Sequence, residues 1–517
     1  MVECLKEVQN KVGTKKFYIT TPIYYPNNPP HIGTAYTTVI ADVIARYKQS
    51  LGYDVFFLTG TDEHGMKIFR EAKKRGFNVK EFVDKQAEVF KKAWSKLLIS
   101  YNRFIRTTDR DHEETVKEIL RKMYEKGDIY KGYYEGFYCV DCERYYTPKD
   151  LKNGLCPIHL RPVEKLKMES YFFKLSAYRD KLLKLYEENP EFLPERYRNE
   201  VISKVKEELR DISISRPKEY LEWGIPLPFD ENHVAYVWID ALLNYVSGVG
   251  YYVNKEEFSK YWPPDMQLIG KDILWFHTVI WPAILMSAGL KLPRRVLAHG
   301  FITVGGRKVS KSAGAKSLDH YVDKYGADNI RYYLSRKFSP FKDVEFDEEE
   351  LKNMVNSELA NTLGNFVTRA FALYNRYFEV LVSAEKKDLV IEEKLKRAVE
   401  NVLANVDKFI DELKVKELIE EIMRIVFMLN NYFNEKEPWK LAKNKQYKEF
   451  IKVMFNSFET LIFIAALLYP VIPKTISKLF KHLGFSKPLK VIELKSYGEN
   501  IDFKKLEKVK PILFAKL

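Results

Sequence analysis

Cysteine is scarce in this chain: four in 517 residues, three of them between positions 139 and 156, with Cys4 apart near the start. That number and clustering exclude the disulfide framework of small secreted domains. Positions 1–16 hold no apolar stretch of signal-peptide type. The longest apolar run, near 461–472, is short for a bilayer crossing and carries Pro470, so a buried helix is expected there. Internal repeats and low-complexity tracts are missing too. These absences lead to the expectation of a cytoplasmic protein of several domains with no membrane segment. Negative charge is also in deficit, with 71 Asp and Glu against 85 Lys and Arg, a formal net charge of +14. Such a balance suits a polyanionic partner, whose binding would weaken with salt. A Lys/Glu-rich surface of the type found in proteins from hot environments has the same composition.

The first half of the chain alternates strand and helix signals. Residues 16–21 read as a buried strand and 33–50 as a helix, with Ala35, Val39, Ile40, Val43, Ile44 and Tyr47 on one side. Residues 54–59 read as a second strand, which completes a βαβ unit. Later strands are expected at 236–238 and 267–269. The expected fold class is α/β: a parallel sheet of Rossmann type, split by an insertion and followed by an all-α helical bundle. The expected divisions are 1–119 and 226–305 for the two halves of the sheet domain and 120–225 for the insertion. A loop and stem-contact region follows at 306–350, then the bundle at 351–480 and a tail at 481–517. Within the bundle, 379–390 is the expected loop, and the tail is expected to fold back on the body.

Two distant segments carry the chemistry. Pro29-Pro30-His31-Ile32-Gly33-Thr34 ends a turn and opens a helix, whose first amide N–H groups and dipole favour an anion. Gly305-Gly306-Arg307-Lys308-Val309-Ser310-Lys311-Ser312 is a Gly-led basic loop. Each alone has a plain explanation, a surface histidine in a Pro-bounded turn and a solvated basic turn. Together they suggest a nucleotide site closed over triphosphate from two sides. In such a site positioning and charge stabilisation carry the rate.

A metal constellation lies between them. Cys139-Val140-Asp141-Cys142 precedes Cys156-Pro157-Ile158-His159. Two pairs of ligands in tight turns, three thiols and an imidazole, suit one tetrahedral structural Zn²⁺. The alternative is three reduced cysteines and an unrelated histidine.

The pair His31-Ile32-Gly33-Thr34 and Lys308-Val309-Ser310-Lys311-Ser312 resembles the HxGH and KMSKS signatures of class I aminoacyl-tRNA synthetases. Thr34 stands where that family usually has a second histidine, and a threonine cannot carry charge at neutral pH. Within the class, residues 16–480 most closely resemble the methionyl-tRNA synthetase family, in a form with a single zinc knuckle. The stretches that carry this are 18–25, Gly60-Thr61-Asp62-Glu63-His64-Gly65, 236–242 and Ile269-Gly270-Lys271-Asp272-Ile273. The resemblance implies ATP-dependent ligation of L-methionine to tRNA(Met) through methionyl-adenylate, with Mg²⁺ accompanying ATP. It assigns His31, Gly33, Thr34, Lys308, Val309, Ser310, Lys311 and Ser312 to ATP, with His31, Thr34, Lys308 and Lys311 catalytic. It assigns Ile23, Tyr25, Trp238, Ala241, Leu242, Tyr245, Ile273 and His277 to the methionine side chain and Asp62 to its ammonium group.

Physical chemistry agrees with that pocket. Trp238, Ala241, Leu242 and Tyr245 share one helical face by spacing, as do Ile273, Phe276 and His277. Aromatic surroundings suit a thioether. Ordinary core packing and, for Asp62, a helix N-cap are the competing explanations. No insertion is large enough for a separate editing domain. In the helical half the resemblance places Asn365, Arg369 and Trp439 at the anticodon; a solvated helix face is the alternative for Asn365 and Arg369. A monomer is expected, with a separate tRNA-binding subunit left open. The rival functions are a non-catalytic tRNA-binding relative and another class I synthetase such as the cysteinyl enzyme.

Overall fold

In a computed structural model, the structure describes residues 15–140, 144–146, 148–158, 160–193, 195–309, 316–340, 342–385 and 389–517. The apolar run at Lys16–Tyr24 forms the central strand of a five-stranded sheet. The strand order is Val296–His299, Met266–Gly270, Lys16–Tyr24, Asp54–Thr61, Arg103–Arg106, and all four pairings are parallel. Both faces are covered, as parallel sheets require. Phe17, Ile19, Val55 and Phe57 pack into one core while Tyr18, Phe56, Leu58 and Ile105 pack into another. The chain leaves the central strand toward one edge and returns on its other side. That switch point opens a crevice beyond the strands' C-terminal ends, at Tyr24 and Gly270.

The helix expected at 33–50 runs Ile32–Ser50, between the first two strands. It is a spine for the molecule. Asp42 at its middle is fully buried and binds Arg46 and Arg331, each at 2.7 Å. Arg331 also donates to the carbonyls of Leu97, Pro470 and Val471. Lys48, near its end, reaches Asp407 at 2.6 Å and Asp411 at 2.7 Å on the Glu393–Asp411 helix. Sheet domain and bundle therefore share one continuous core.

The inserted segment is antiparallel. Its first sheet has the order Arg144–Tyr146, Ile129–Cys139, Glu164–Phe173, Ile212–Ser213, and a second joins Ser215–Pro217, Asp230–Ala235 and Pro226–Leu227. The strand expected at 236–238 is not one. The ladder ends at Ala235, paired with Ser215, and Val237–Leu242 is helical. Tyr236, Val237 and Trp238 favour strands by residue type, but burial of the i, i+3, i+4 face from Trp238 onward decides for helix.

From Glu348 to His482 the described residues are helical, with turns between. A π-helical stretch, Val355–Gly364, precedes the Asn365–Arg376 helix. The expected loop at 379–390 is helical in its first part, Phe378–Val382, because Leu381 is buried. The first part of the apolar run, 461–468, lies in the Tyr447–Leu468 helix, which is long and apolar enough to cross a membrane, yet 94% of its apolar window is buried inside the protein; 469–472, with Pro470, form the turn that follows. The tail folds back: Glu459 accepts N–H bonds from Gly498, Asn500 and Ile501.

Candidate functional site

The crevice at the switch point is a cleft of about 420 Å³. His31, Gly33, Thr34 and Val309 line it, and so do Ile23, Tyr25, Asp62, Trp238, Ala241, Leu242, Tyr245, Ile273 and His277. The two distant motifs and the apolar set thus meet in one cavity. Lys308 closes a hairpin with Thr303 across from it, through a turn at Gly305 and Gly306 with φ of 59° and 70°. Two successive left-handed residues make a type I′ turn, which glycine tolerates without strain. Ser310, Lys311 and Ser312 lie outside the described residues.

His31 is the N-cap of the Ile32–Ser50 helix. Its Nδ1 accepts the backbone N–H groups of Gly33 at 3.0 Å and Thr34 at 3.3 Å. A nitrogen that accepts carries no proton, so the ring's remaining N–H is at Nε2. Gly33 leaves room for this fold-back, since a Cβ there would stand 2.9 Å from the His31 ring. The Thr34 hydroxyl donates to the His31 carbonyl at 2.7 Å and accepts the His31 N–H at 3.0 Å. Its single proton is therefore spent inside the cap, where the sequence suggests a bond to phosphate.

The opposite end of the cleft is apolar. Trp238 stacks on Phe276 with ring centroids 3.8 Å apart. The Tyr245 hydroxyl lies 2.8 Å from His277 Nε2, and His277 Nδ1 lies 3.0 Å from the Ile273 carbonyl. A carbonyl can only accept, so Nδ1 holds the ring proton and Nε2 accepts from Tyr245. Burial pushes the His277 pKa down to about 4, so the ring is neutral. Asp62 is buried at the end of its strand, its backbone N–H bonded to the Tyr24 carbonyl at 2.9 Å.

Sequence reasoning missed Asn27, Lys67, Asp272, His299, Phe301 and Ile302, which line the same cleft. A signal existed for Asp272: a glycine ending a parallel strand followed by an acid marks the ligand edge of such sheets. Nothing local marked His299. Its Nε2 is 2.8 Å from Thr37 Oγ1 only because the Val296–His299 strand and the distant Ile32–Ser50 helix converge.

Of the metal set, Cys139 and Cys156 are buried, with Cys156 Sγ 3.7 Å from the Tyr146 hydroxyl. Cys142 and His159 lie outside the described residues, and among the described residues no cluster of three or more ligating side chains occurs. Ile158, beside Cys156, reaches the cleft.

Asn365 and Arg369 share a helix face, and the guanidinium of Arg369 lies 5.5 Å from the Trp439 ring centroid. Arg369 also donates to Asn434 at 2.6 Å. Trp439 is 37% exposed just after Pro438, which starts a short helix. The three residues thus face one surface of the bundle.

The family described as tRNA synthetases class I (M) matches residues 17–161 and 142–371, and the anticodon binding domain of methionyl tRNA ligase matches 383–517. A methionine–tRNA ligase of Caldanaerobacter subterraneus subsp. tengcongensis is 47% identical over 488 residues, which cover 94% of this chain and 76% of the relative. One from Thermotoga maritima is 44% identical over 490 residues, 93% and 77% of the two chains. Among solved structures, Mycobacterium tuberculosis methionyl-tRNA synthetase in complex with methionyl-adenylate superposes with a TM-score of 0.87. It is 38% identical and covers 93% of this chain and 97% of its own.

Proposed function

The chain belongs to the methionyl-tRNA synthetase family of class I, and from that premise we propose how its residues divide the work. It is a methionine–tRNA ligase: it activates L-methionine with ATP and transfers the methionyl group to the 3′ end of tRNA(Met). In the first step a carboxylate oxygen of methionine attacks the α-phosphorus of ATP. The bond to the β-phosphate oxygen breaks, and pyrophosphate leaves. In the second step a hydroxyl of the terminal adenosine attacks the activated carbonyl, and AMP leaves. No protein nucleophile is needed.

One observation carries the assignment of roles: the His31 cap and the Trp238–Tyr245–His277 pocket open into the same cleft. Methionine enters with its thioether among Trp238, Ala241, Leu242, Tyr245, Ile273 and His277, flanked by Ile23 and Tyr25. Asp62 takes the ammonium group, for which a buried carboxylate at a strand end is suited. That leaves the carboxylate pointing toward His31. The Nε2–H of His31 and the positive end of the helix dipole stabilise charge growing on the phosphates. Thr34 fixes the imidazole in place. Lys308 and Lys311, with Ser310 and Ser312 shaping their loop, hold the leaving pyrophosphate, and Val309, buried and lining the cleft, borders the nucleotide. ATP arrives with Mg²⁺.

Cys139, Cys142, Cys156 and His159 hold one Zn²⁺. The buried thiols fit: among the described residues they sit in a small cluster with Tyr146 and a few half-buried neighbours, and thiols brought together suit that ion. The ion's part is structural. Asn365, Arg369 and Trp439 read the anticodon by base-edge bonds and stacking. The protein works as a cytoplasmic monomer.

The test is exchange of pyrophosphate into ATP, run with each of the twenty amino acids. Exchange driven by methionine is the expected result. Exchange driven best by another amino acid would overturn the pocket assignment.

A further inference from the structure

Beneath the methionine pocket lies a buried charged cluster that the reaction above does not use. Asp240 is fully buried in the first turn of the Val237–Leu242 helix. Its Oδ2 is 2.7 Å from His64 Nδ1 and its Oδ1 is 2.6 Å from His112 Nε2. His112 Nδ1 is in turn 2.7 Å from Ser247 Oγ. Both histidines are buried as well. Burial alone would raise the Asp240 carboxyl, yet the charge of His64 and the bonds from both rings hold it below its ordinary range. It is therefore ionised and can only accept, so each histidine presents an N–H to it.

The positions of these groups in the chain give the cluster its meaning. His64 is two residues after Asp62, in the short loop between the strand ending at Thr61 and the helix starting at Met66. Glu63, between them, points the other way and is clamped by Arg106 at 2.7 and 2.8 Å. The loop is thus tied on one side to the sheet edge and on the other, through His64, to Asp240. Asp240 shares its helix with Trp238, Ala241 and Leu242, which line the cleft. His112 anchors the same carboxylate to the Arg110–Glu125 helix. The carboxylate therefore fixes the distance between the group assigned to the methionine ammonium and the wall assigned to its side chain.

We propose that Asp240 is a positioning residue for methionine, acting through His64 on Asp62 and through its own helix on Trp238. It touches no substrate. The inference rests on the assignment of Asp62 and Trp238 to methionine made above. Because the nucleotide end of the cleft belongs to other elements, Asp240 governs the fit of one substrate and not the other.

The experiment is pyrophosphate exchange with the full chain, varying methionine and ATP separately. Asp240→Asn keeps the shape and removes the charge. It is expected to raise the methionine KM by at least about tenfold, since misplacement of an orienting group by a fraction of an ångström has effects of that order. The ATP KM and kcat should stay within about twofold of wild type on the same grounds. Two milder variants keep the test open if Asp240→Asn folds poorly. His64→Asn, whose amide N–H can take the place of Nδ1–H, should keep the wild-type methionine KM, while His64→Leu should raise it as Asp240→Asn does. An unchanged methionine KM in Asp240→Asn and His64→Leu, a parallel rise for both substrates, or equal damage from His64→Asn and His64→Leu overturns the proposal. Asp62→Asn run alongside separates the two layers: if it leaves the methionine KM unchanged, the substrate assignment itself has failed.

Discussion

His31 and Thr34 hold each other by three hydrogen bonds: the His31 N–H to the Thr34 hydroxyl, that hydroxyl to the His31 carbonyl, and the Thr34 N–H to His31 Nδ1. A side chain that cannot carry charge thereby fixes which nitrogen of the imidazole is left to face the cleft.

Thr34→Val removes the hydroxyl and keeps the branched shape. Loss of a capping bond is worth about 1 kcal/mol, roughly five- to tenfold in rate if His31 loosens. Methionine-dependent pyrophosphate exchange should slow by that factor, and Thr34→Ser should restore it. Equal rates for Val and Ser would show that the hydroxyl orients nothing.

His277 gives the pocket a defined pH response. Burial lowers its folded pKa to about 4, below the value near 6.5 of an unfolded chain. The unfolded chain therefore takes up the proton first. The stability this group supplies is whole above about pH 6.5 and drains away as pH falls toward 4. Methionine KM should accordingly be flat from about pH 6.5 to 8, because the ring stays neutral there. A titration of methionine KM centred near neutrality would mean that His277 is not buried as described.

The Asp42–Arg331 pair joins the helix that carries His31 to the turn at Pro470 and Val471. Burial raises the Asp42 carboxyl, but Arg331, Arg46 and the Ser100 N–H outweigh it and hold the group below its usual range. Its contribution is present above the unfolded carboxylate value and is lost as pH falls through the lower folded one. Arg331→Met leaves Asp42 to Arg46 and Ser100 alone and takes the donor from the carbonyls of Leu97, Pro470 and Val471, and should cost about 3 kcal/mol in denaturant unfolding. The same variant should also lose part of the acid-side stability slope. A variant as stable as wild type would mean that the carboxylate finds another partner.

Much of the sheet domain was legible because its signals are local. The strand at 16–24, the helix after it and the strand at 54–61 each bear their own periodicity or apolar run. The apolar wall of the cleft was legible by helical spacing at 238–245 even though its first residues also looked like a strand. What the chain did not disclose was convergence. His64, His112 and Asp240 stand in three unrelated stretches, and nothing near any of them announces a shared carboxylate. The same holds for Lys48 with Asp407, 359 positions apart. The π-helical turn before Asn365 was equally silent, since its i–5 backbone bonding, as from the Asn365 N–H to the Ala360 carbonyl, depends on packing and not on residue type.

Zinc should be present at about one ion per chain, and its removal should act locally. Cys139 ends a long strand and Cys156 starts a turn closed by the Leu160 N–H on the Cys156 carbonyl at 2.8 Å. Cys156→Ser should lower the metal content and expose the knuckle to protease while the bundle stays folded. Because Ile158 reaches the cleft, exchange should fall as well. Full metal content in Cys156→Ser would remove this residue from the ligand set.

Trp439 should act on charging alone. Its ring is exposed beside Arg369, whose guanidinium lies over it at 5.5 Å, so base stacking there would continue a stack that the protein has already begun. Stacking of an unpaired base is worth about 1–3 kcal/mol, so Trp439→Ala should weaken tRNA charging by roughly tenfold or more. The cleft proposed for methionine activation is lined by the parallel sheet, its connecting helices and Ile158 of the insertion, so pyrophosphate exchange should be unchanged. Comparison of the two rates in one preparation decides the matter. Equal losses in both would mean that the tryptophan supports the fold of the bundle against the sheet domain, and that the anticodon is read elsewhere.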